Sequence, residues 1–276
     1  MAWKWTKKRR NNKAVSPAIS TVIITGVMVS LITVAFSFAS NFLLLRMAES
    51  EFNSSKQFMQ TLGLQIDDVA WVIGRTETVR YSSKYGDIAL KTALNYTIYI
   101  NTTTQSNLKF YTSTTNIICF NMPVQHYSVG NSYFELLYPS SNVSFLLSGA
   151  STPVARVFAV EKLPMTDGSF VRVVVTPTIR MLNLTIGSTR YIRLYLPILA
   201  EGEAPKHSQS VTFTSESISK TGDTVTGIKV EVDFPLAGFD NLFFNFPDTE
   251  ESISPTEETV LELYVGGVDV ALGVHA

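Results

Sequence analysis

From Val15 to Leu45 the chain runs for 31 residues without an Asp, Glu, Lys or Arg. Coiled as an α-helix at about 1.5 Å per residue, that run is ~46 Å long, against a bilayer hydrocarbon core of about 30 Å. It is long enough to span, with roughly ten residues to spare. Its N-terminal flank, residues 1–14, carries Lys4, Lys7, Lys8, Arg9, Arg10 and Lys13 and no acid. Basic residues beside a span stay in the cytoplasm, so residues 1–14 are expected inside and the rest of the chain outside. A core helix of a soluble protein has no reason to gather six cations at one end and none along its length. A cleaved secretory signal would have an apolar stretch of about 7–15 residues closed by a small-residue site. Here Ala39-Ser40-Asn41 is followed at once by Phe42-Leu43-Leu44-Leu45, so a retained helix is expected.

The formal net charge of the whole chain is only −1, and 16% of its residues are charged, below the roughly 25% of an average soluble domain. Composition excludes a disordered chain, a basic nucleic-acid-binding protein and a polytopic membrane protein. The single cysteine, Cys119, excludes an internal disulfide framework and a thiolate metal cluster. Set in Ile117-Ile118-Cys119-Phe120, it reads as a small buried hydrophobe.

The residues at the cytoplasmic border of the run are Asn12-Lys13-Ala14-Val15-Ser16-Pro17-Ala18-Ile19. Ser16 followed by Pro17 suits a helix N-cap and first helical position, where a missing N–H costs nothing. This stretch resembles the class III signal peptide of archaeal type IV pilin-like proteins, over about residues 7–45. The resemblance implies a basic leader ending in Lys13-Ala14, a cut by prepilin peptidase before Val15, and a helix that begins at Ser16-Pro17. It also implies other pilin subunits as partners, with an assembly platform and its ATPase. Bacterial type IV pilins have a Glu at the fifth mature position, which here is Ile19, so the match is to the archaeal branch.

Beyond the run, apolar or small residues recur as Leu45, Ala48, Phe52, Ser55, Met59, Leu62, Ile66, Val69 and Ile73, at spacings of 3 and 4. That is one stripe on a helix, with Arg46, Glu49, Glu51, Lys56, Gln60, Gln65, Asp67 and Asp68 between. We expect one helix from Pro17 to about Ile73, weakened at Gly63 and ended by Gly74. After Gly74 the pattern changes to short alternating strands, the clearest being 93–100, 154–160, 170–175, 179–186, 190–198, 227–234 and 260–265. Gly266-Gly267 reads as a hairpin turn between two strands. The expected fold is therefore α+β, a long N-terminal helix followed by an all-β, sandwich-like head, as one sandwich or two. The expected divisions are a leader (1–14), a transmembrane or filament-core helix (15–45), an amphipathic extension (46–74), a β-rich head (75–200) and an acidic β-rich part (201–276). A break at Glu201–Ser210 is supported by charge: residues 75–200 hold 11 basic and 5 acidic residues (+6), and residues 201–276 hold 3 and 14 (−11). Unlike faces of that kind could meet within the head or between subunits.

Five Asn-x-Ser/Thr sequons, at Asn53, Asn95, Asn101, Asn142 and Asn183, all lie beyond the run and are candidate glycosylation sites. Nothing in the pattern points to an enzyme. His126, His207 and His275 lack ligand spacing, and no Gly-rich phosphate loop or nucleophile motif occurs. Asp67-Asp68 point about 100° apart on a helix and read as solvated. Asp248, Glu250, Glu251, Glu257 and Glu258 lack the spacing of a Ca²⁺ loop. Phe239, Phe243, Phe244 and Phe246 read as core. No cofactor, metal or nucleic-acid partner is expected. The expected product is a subunit, major or minor, of a surface filament, structural or adhesive. The alternative is a monomeric signal-anchored protein whose head binds a partner or glycan.

Overall fold

The structure, a computed structural model, describes residues 17–140, 144–163, 165–203 and 209–273. A 54-residue helix, α1 (Pro17–Ala70), comes first. Eleven strands follow it: β1 (Thr76–Arg80), β2 (Asp87–Asn101), β3 (Leu108–Pro123), β4 (Tyr133–Tyr138), β5 (Leu146–Ser148), β6 (Ala155–Glu161), β7 (Phe170–Pro177), β8 (Ile179–Ile186), β9 (Thr189–Glu201), β10 (Ser210–Val225) and β11 (Gly227–Asp233). A one-turn helix, α2 (Asn241–Phe244), and strands β12 (Glu250–Ile253) and β13 (Thr259–Leu272) complete the order. The fold is α+β with a sandwich-like head, and the chain divides into two compact units at Met47/Ala48, inside α1.

The head is two sheets. One has six strands in the order β1-β10-β13-β9-β8-β5, the other seven in the order β12-β11-β2-β3-β7-β6-β4. Pairing is antiparallel except for β13 with β9 and β5 with β8. A break at 201–210 does not separate two sandwiches. From the acidic C-terminal stretch, β10 and β13 join β1 and β9 in the first sheet, while β11 joins β2 in the second. One ion pair across the two stretches, Arg193 Nε to Glu262 Oε2 at 2.6 Å, joins β9 to β13.

Between the sheets lie Tyr96, Ile98, Cys119, Phe158 and Val174 of one and Ile192, Leu194, Leu196, Leu261 and Leu263 of the other. Cys119 is fully buried, which pushes its thiol up to about 12. Phe239, Phe243, Phe244 and Phe246 lie in this core as expected. Their segment is shaped by α2, whose N-cap Asp240 accepts from the Phe243 N–H and whose C-cap Asn245 turns left-handed at φ 51°.

The second core is made by the amphipathic part of α1. Phe52, Met59, Leu62, Ile66, Val69 and Ala70 form a single cluster with Ile118, Phe120, Val157, Val173 and Val175 of the seven-stranded sheet and Leu199, Phe213, Val268 and Val270 of the six-stranded one. Full burial of each large side chain stabilises by about 1.5–3 kcal/mol. Strands β6 and β7 are consequently covered on both faces, which explains their almost unbroken apolar sequences. Of the expected stripe, Ala48 to Val69 is buried, whereas Leu45 and Ile73 at its ends are exposed. The helix stops at Ala70, three residues short of the expected end, and turns through Trp71–Gly74 with Gly74 at φ 78°.

Three sequence expectations are corrected by this packing. Gly63 is a packing residue rather than only a weak point, because a Cβ there would lie 2.8 Å from Val157 Cγ2. Gly266-Gly267 is not a hairpin: both residues lie inside β13, paired with Pro197 and Ile198 of β9. They are needed because a Cβ on Gly266 would lie 2.4 Å from the Ala70 carbonyl oxygen, where the helix end meets the strand. Asp67 is not merely solvated, since it accepts from Trp71 Nε1 at 3.0 Å and from Arg180 Nη1 at 3.1 Å.

Because the obstructing atom at Gly266 is backbone, it cannot rotate away. Gly266→Val is therefore expected to destabilise the head by roughly 2–3 kcal/mol, measured by chemical denaturation of the full chain in detergent. An unchanged midpoint would contradict the close approach.

Candidate membrane and assembly interface

The unit that ends at Met47 is helical from Pro17, and that helix carries no charged residue before Arg46. Its helix is long and apolar enough to cross a membrane, as a single-pass membrane protein requires. Large apolar side chains are exposed around its whole circumference, Ile19, Val22, Leu31, Phe36, Phe38 and Leu43 among them. In water such a surface is unfavourable by about 25 cal/mol per Å², so it must be covered by lipid or by protein. The hydroxyls within it fit a dry setting: Ser30 Oγ donates to Gly26 O and Thr33 Oγ1 to Val29 O, both at 2.9 Å. Gly26, Ser30, Thr33, Ser37 and Ser40 follow one another at spacings of 4, 3, 4 and 3, which places the small residues on one side of the helix. Small residues in that arrangement let a second helix backbone approach closely. The guanidinium of Arg46 closes the run by lying 5.1 Å over the Phe42 ring.

In the head, the first turns of the amphipathic stretch hold the adjoining loop electrostatically. The Glu51 carboxylate accepts from Ser83 Oγ at 2.5 Å and from the backbone N–H groups of Lys84, Tyr85 and Gly86 at 2.9–3.0 Å. Partial burial raises its pKa, but these four donors outweigh that effect and leave it below the ordinary carboxylate value. Gln209 secures the same loop by bonding both the N–H and the C=O of Ser83. A cleft of about 330 Å³ opens beside this anchor, lined in part by Glu51, Ser54, Phe58, Arg80, Tyr81 and Phe120. One turn further on, Lys56 Nζ reaches Glu135 Oε2 at 2.5 Å and the Tyr133 hydroxyl at 3.1 Å, which ties β4 to the helix.

The processing residues Lys13, Ala14 and Val15, and the N-cap candidate Ser16, lie outside the described residues; Pro17 opens α1. Among the sequons, Asn53 is exposed on α1 and Asn183 is exposed on β8. Asn95 is half-buried on β2, beside Thr114 Oγ1 at 3.5 Å. The Asn101 side-chain oxygen is occupied by the Asn107 N–H at 2.7 Å, and Asn142 lies outside the described residues. His126 packs on Tyr85 with ring centroids 4.9 Å apart, while His207 and His275 lie outside the described residues. Among the described residues no three His, Cys, Asp or Glu side chains gather as a metal-binding group.

Two residues that sequence reasoning did not single out are Arg156 and Arg172, both fully buried between the sheets. The available signal was a guanidinium inside a strand whose neighbours are apolar on both sides. In a strand covered on both faces such a side chain has no outward direction to take. Comparison with family models, with curated proteins and with solved structures finds no match.

The Glu51 anchor has a pH signature. A carboxylate whose folded pKa is lowered adds stability that is complete above its ordinary value of 4.5 and is lost as pH falls through the folded value. Glu51→Gln is expected to lower head stability by about 1 kcal/mol at pH 7, a figure already reduced for partial exposure. The difference should shrink as pH falls below 4.5, as followed by denaturation of wild type and variant across the acid range.

Proposed function

We propose that this chain is a subunit, major or minor, of an archaeal type IV pilus-like surface filament, structural or adhesive in role. The single observation that carries the reading is the helix up to Met47, apolar on every side and continuous with a stretch that buries only one stripe. A helix covered by its own head along one stripe and by nothing along the preceding turns suits a subunit stored in lipid and transferred to contacts with its siblings. A simple tether needs no such continuity, and a flexible polar linker would serve it better. The leader-like border Lys13-Ala14-Val15, through its resemblance to class III signal peptides, supplies the step that would release the subunit.

In this reading residues 1–14 stay cytoplasmic, the head is extracellular, and prepilin peptidase cuts between Ala14 and Val15. An assembly platform and its ATPase then draw the helix out of the bilayer into a helical bundle with other pilin subunits. Dispersion and apolar burial hold that bundle, with the small-residue side of the helix available for the closest approaches. Among the described sequons, Asn53 and Asn183 are exposed and free to carry glycans in this reading.

Terminal sequencing and intact mass of the protein from its native membrane should give Val15 as the first residue. Replacing Ala14 with Trp should leave the full-length precursor in the membrane and remove the protein from sheared surface filaments. Native protein that retains residues 1–14 and sediments as monomers in detergent would instead establish a signal-anchored surface protein.

A further inference from the structure

Arg156 is fully buried, and among the described residues its guanidinium has one hydrogen-bond partner, the Phe244 carbonyl oxygen at 2.9 Å from Nη1. Nε and Nη2 are buried without a hydrogen-bond partner among the described residues. The rings of Phe134, Phe158 and Phe246 surround it at 5.7, 5.3 and 5.1 Å from Cζ. Their faces offset part of the cost of burial but accept no hydrogen bond in the guanidinium plane. Burial lowers the Arg156 pKa to about 10, so the group keeps its proton at neutral pH. Its neighbour Arg172 shows the contrasting case: a carboxylate, Asp167, lies 2.5 Å away.

Two other unpartnered buried hydroxyls lie on or just beyond the neighbouring strand. Thr176 of β7 is the cross-strand partner of Arg156 in β6, which sets their Cβ atoms about 5 Å apart. Its hydroxyl is buried and unpartnered, as is that of Thr178 two residues on. Between them the Pro177 carbonyl already accepts from the Tyr96 hydroxyl at 2.8 Å. The corner therefore holds a net positive charge and several unused N–H and O–H donors, with no carboxylate bonded to Arg156 among the described residues. A buried charge of this kind costs several kcal/mol until a counter-charge and hydrogen bonds meet it.

We propose that the corner formed by Arg156, Thr176 and Thr178 binds one small inorganic anion, chloride being the occupant under extracellular conditions. All three residues are fully buried, so an organic acid has no way in, and a small ion enters only as the sandwich opens. A divalent anion would carry a much larger desolvation cost than a halide. The anion takes N–H donors from Nε and Nη2 and hydroxyl donors from the threonines, leaving the Phe244 carbonyl to hold Nη1. In the resulting arrangement it fastens the segment around α2 to β6 from inside the sandwich.

The test uses the full chain in detergent. At constant ionic strength and pH 7, replacing gluconate by chloride should raise the melting temperature of the head by roughly 3–5 °C for each tenfold rise above the dissociation constant. Arg156→Met should melt at one temperature in both salts. Because that variant can fail to fold, crystals of the wild-type protein grown in bromide supply the second measurement. An anomalous peak within about 3.5 Å of Arg156 Nε or Nη2 supports the site. A water at that position, no peak, or a wild-type melting temperature that ignores chloride overturns it.

Discussion

One face of a helix pressed into two sheets at once holds this molecule together. Phe52, Met59, Leu62, Ile66 and Val69 form a single line along α1, and that line touches strands of both the six- and the seven-stranded sheet. Because the same helix seals the outer side of β6 and β7, those strands become central layers rather than a solvated surface. The close approaches follow from this seat. Gly63 lets α1 settle on Val157, and Gly266 lets the helix end at Ala70 reach β13. Polar anchors then fix the position of the helix without driving it there: Glu51 on the 83–86 loop, Lys56 on Glu135, and Asp67 on Arg180.

The same helix changes its requirements at Met47. Up to that residue its apolar side chains are exposed all round, and from Ala48 the head covers one stripe. Intrahelical bonding leaves the first stretch with no backbone demand on its surroundings, so lipid and a neighbouring apolar helix are nearly equivalent covers. That near-equivalence is the physical basis of the filament reading, since a subunit has to exchange one cover for the other. A cheap exchange is consistent with the absence of charge between Pro17 and Leu45.

Inside the sandwich the chain accepts two buried guanidinium groups in places where an aliphatic side chain would be simpler. Both contact phenylalanines of the segment around α2: Arg172 lies under Phe239, and Arg156 reaches Phe246 and the Phe244 carbonyl. The segment has only one turn of helix of its own, and its position is set by these contacts and by the aromatic pairs among Phe158, Phe243 and Phe244.

Periodicity made the helix legible from sequence, with its apolar half, its buried stripe from Ala48 to Val69 and most of the apolar strands, because each of those signals is local in the chain. Strands such as β10, rich in Ser and Thr and solvated over much of their length, carried little apolar alternation and were missed. So was the interleaving of residues 75–200 with 201–276, since charge asymmetry reports composition and not strand neighbours. The sequence by itself determined which side chains need cover. Only the tertiary structure decided what covers them, turning a presumed hairpin glycine into a contact with Ala70, a solvated aspartate into a partner of Arg180, and two strand arginines into interior cations. Packing, unlike periodicity, depends on residues far apart in the chain, and only the folded sheets bring those together.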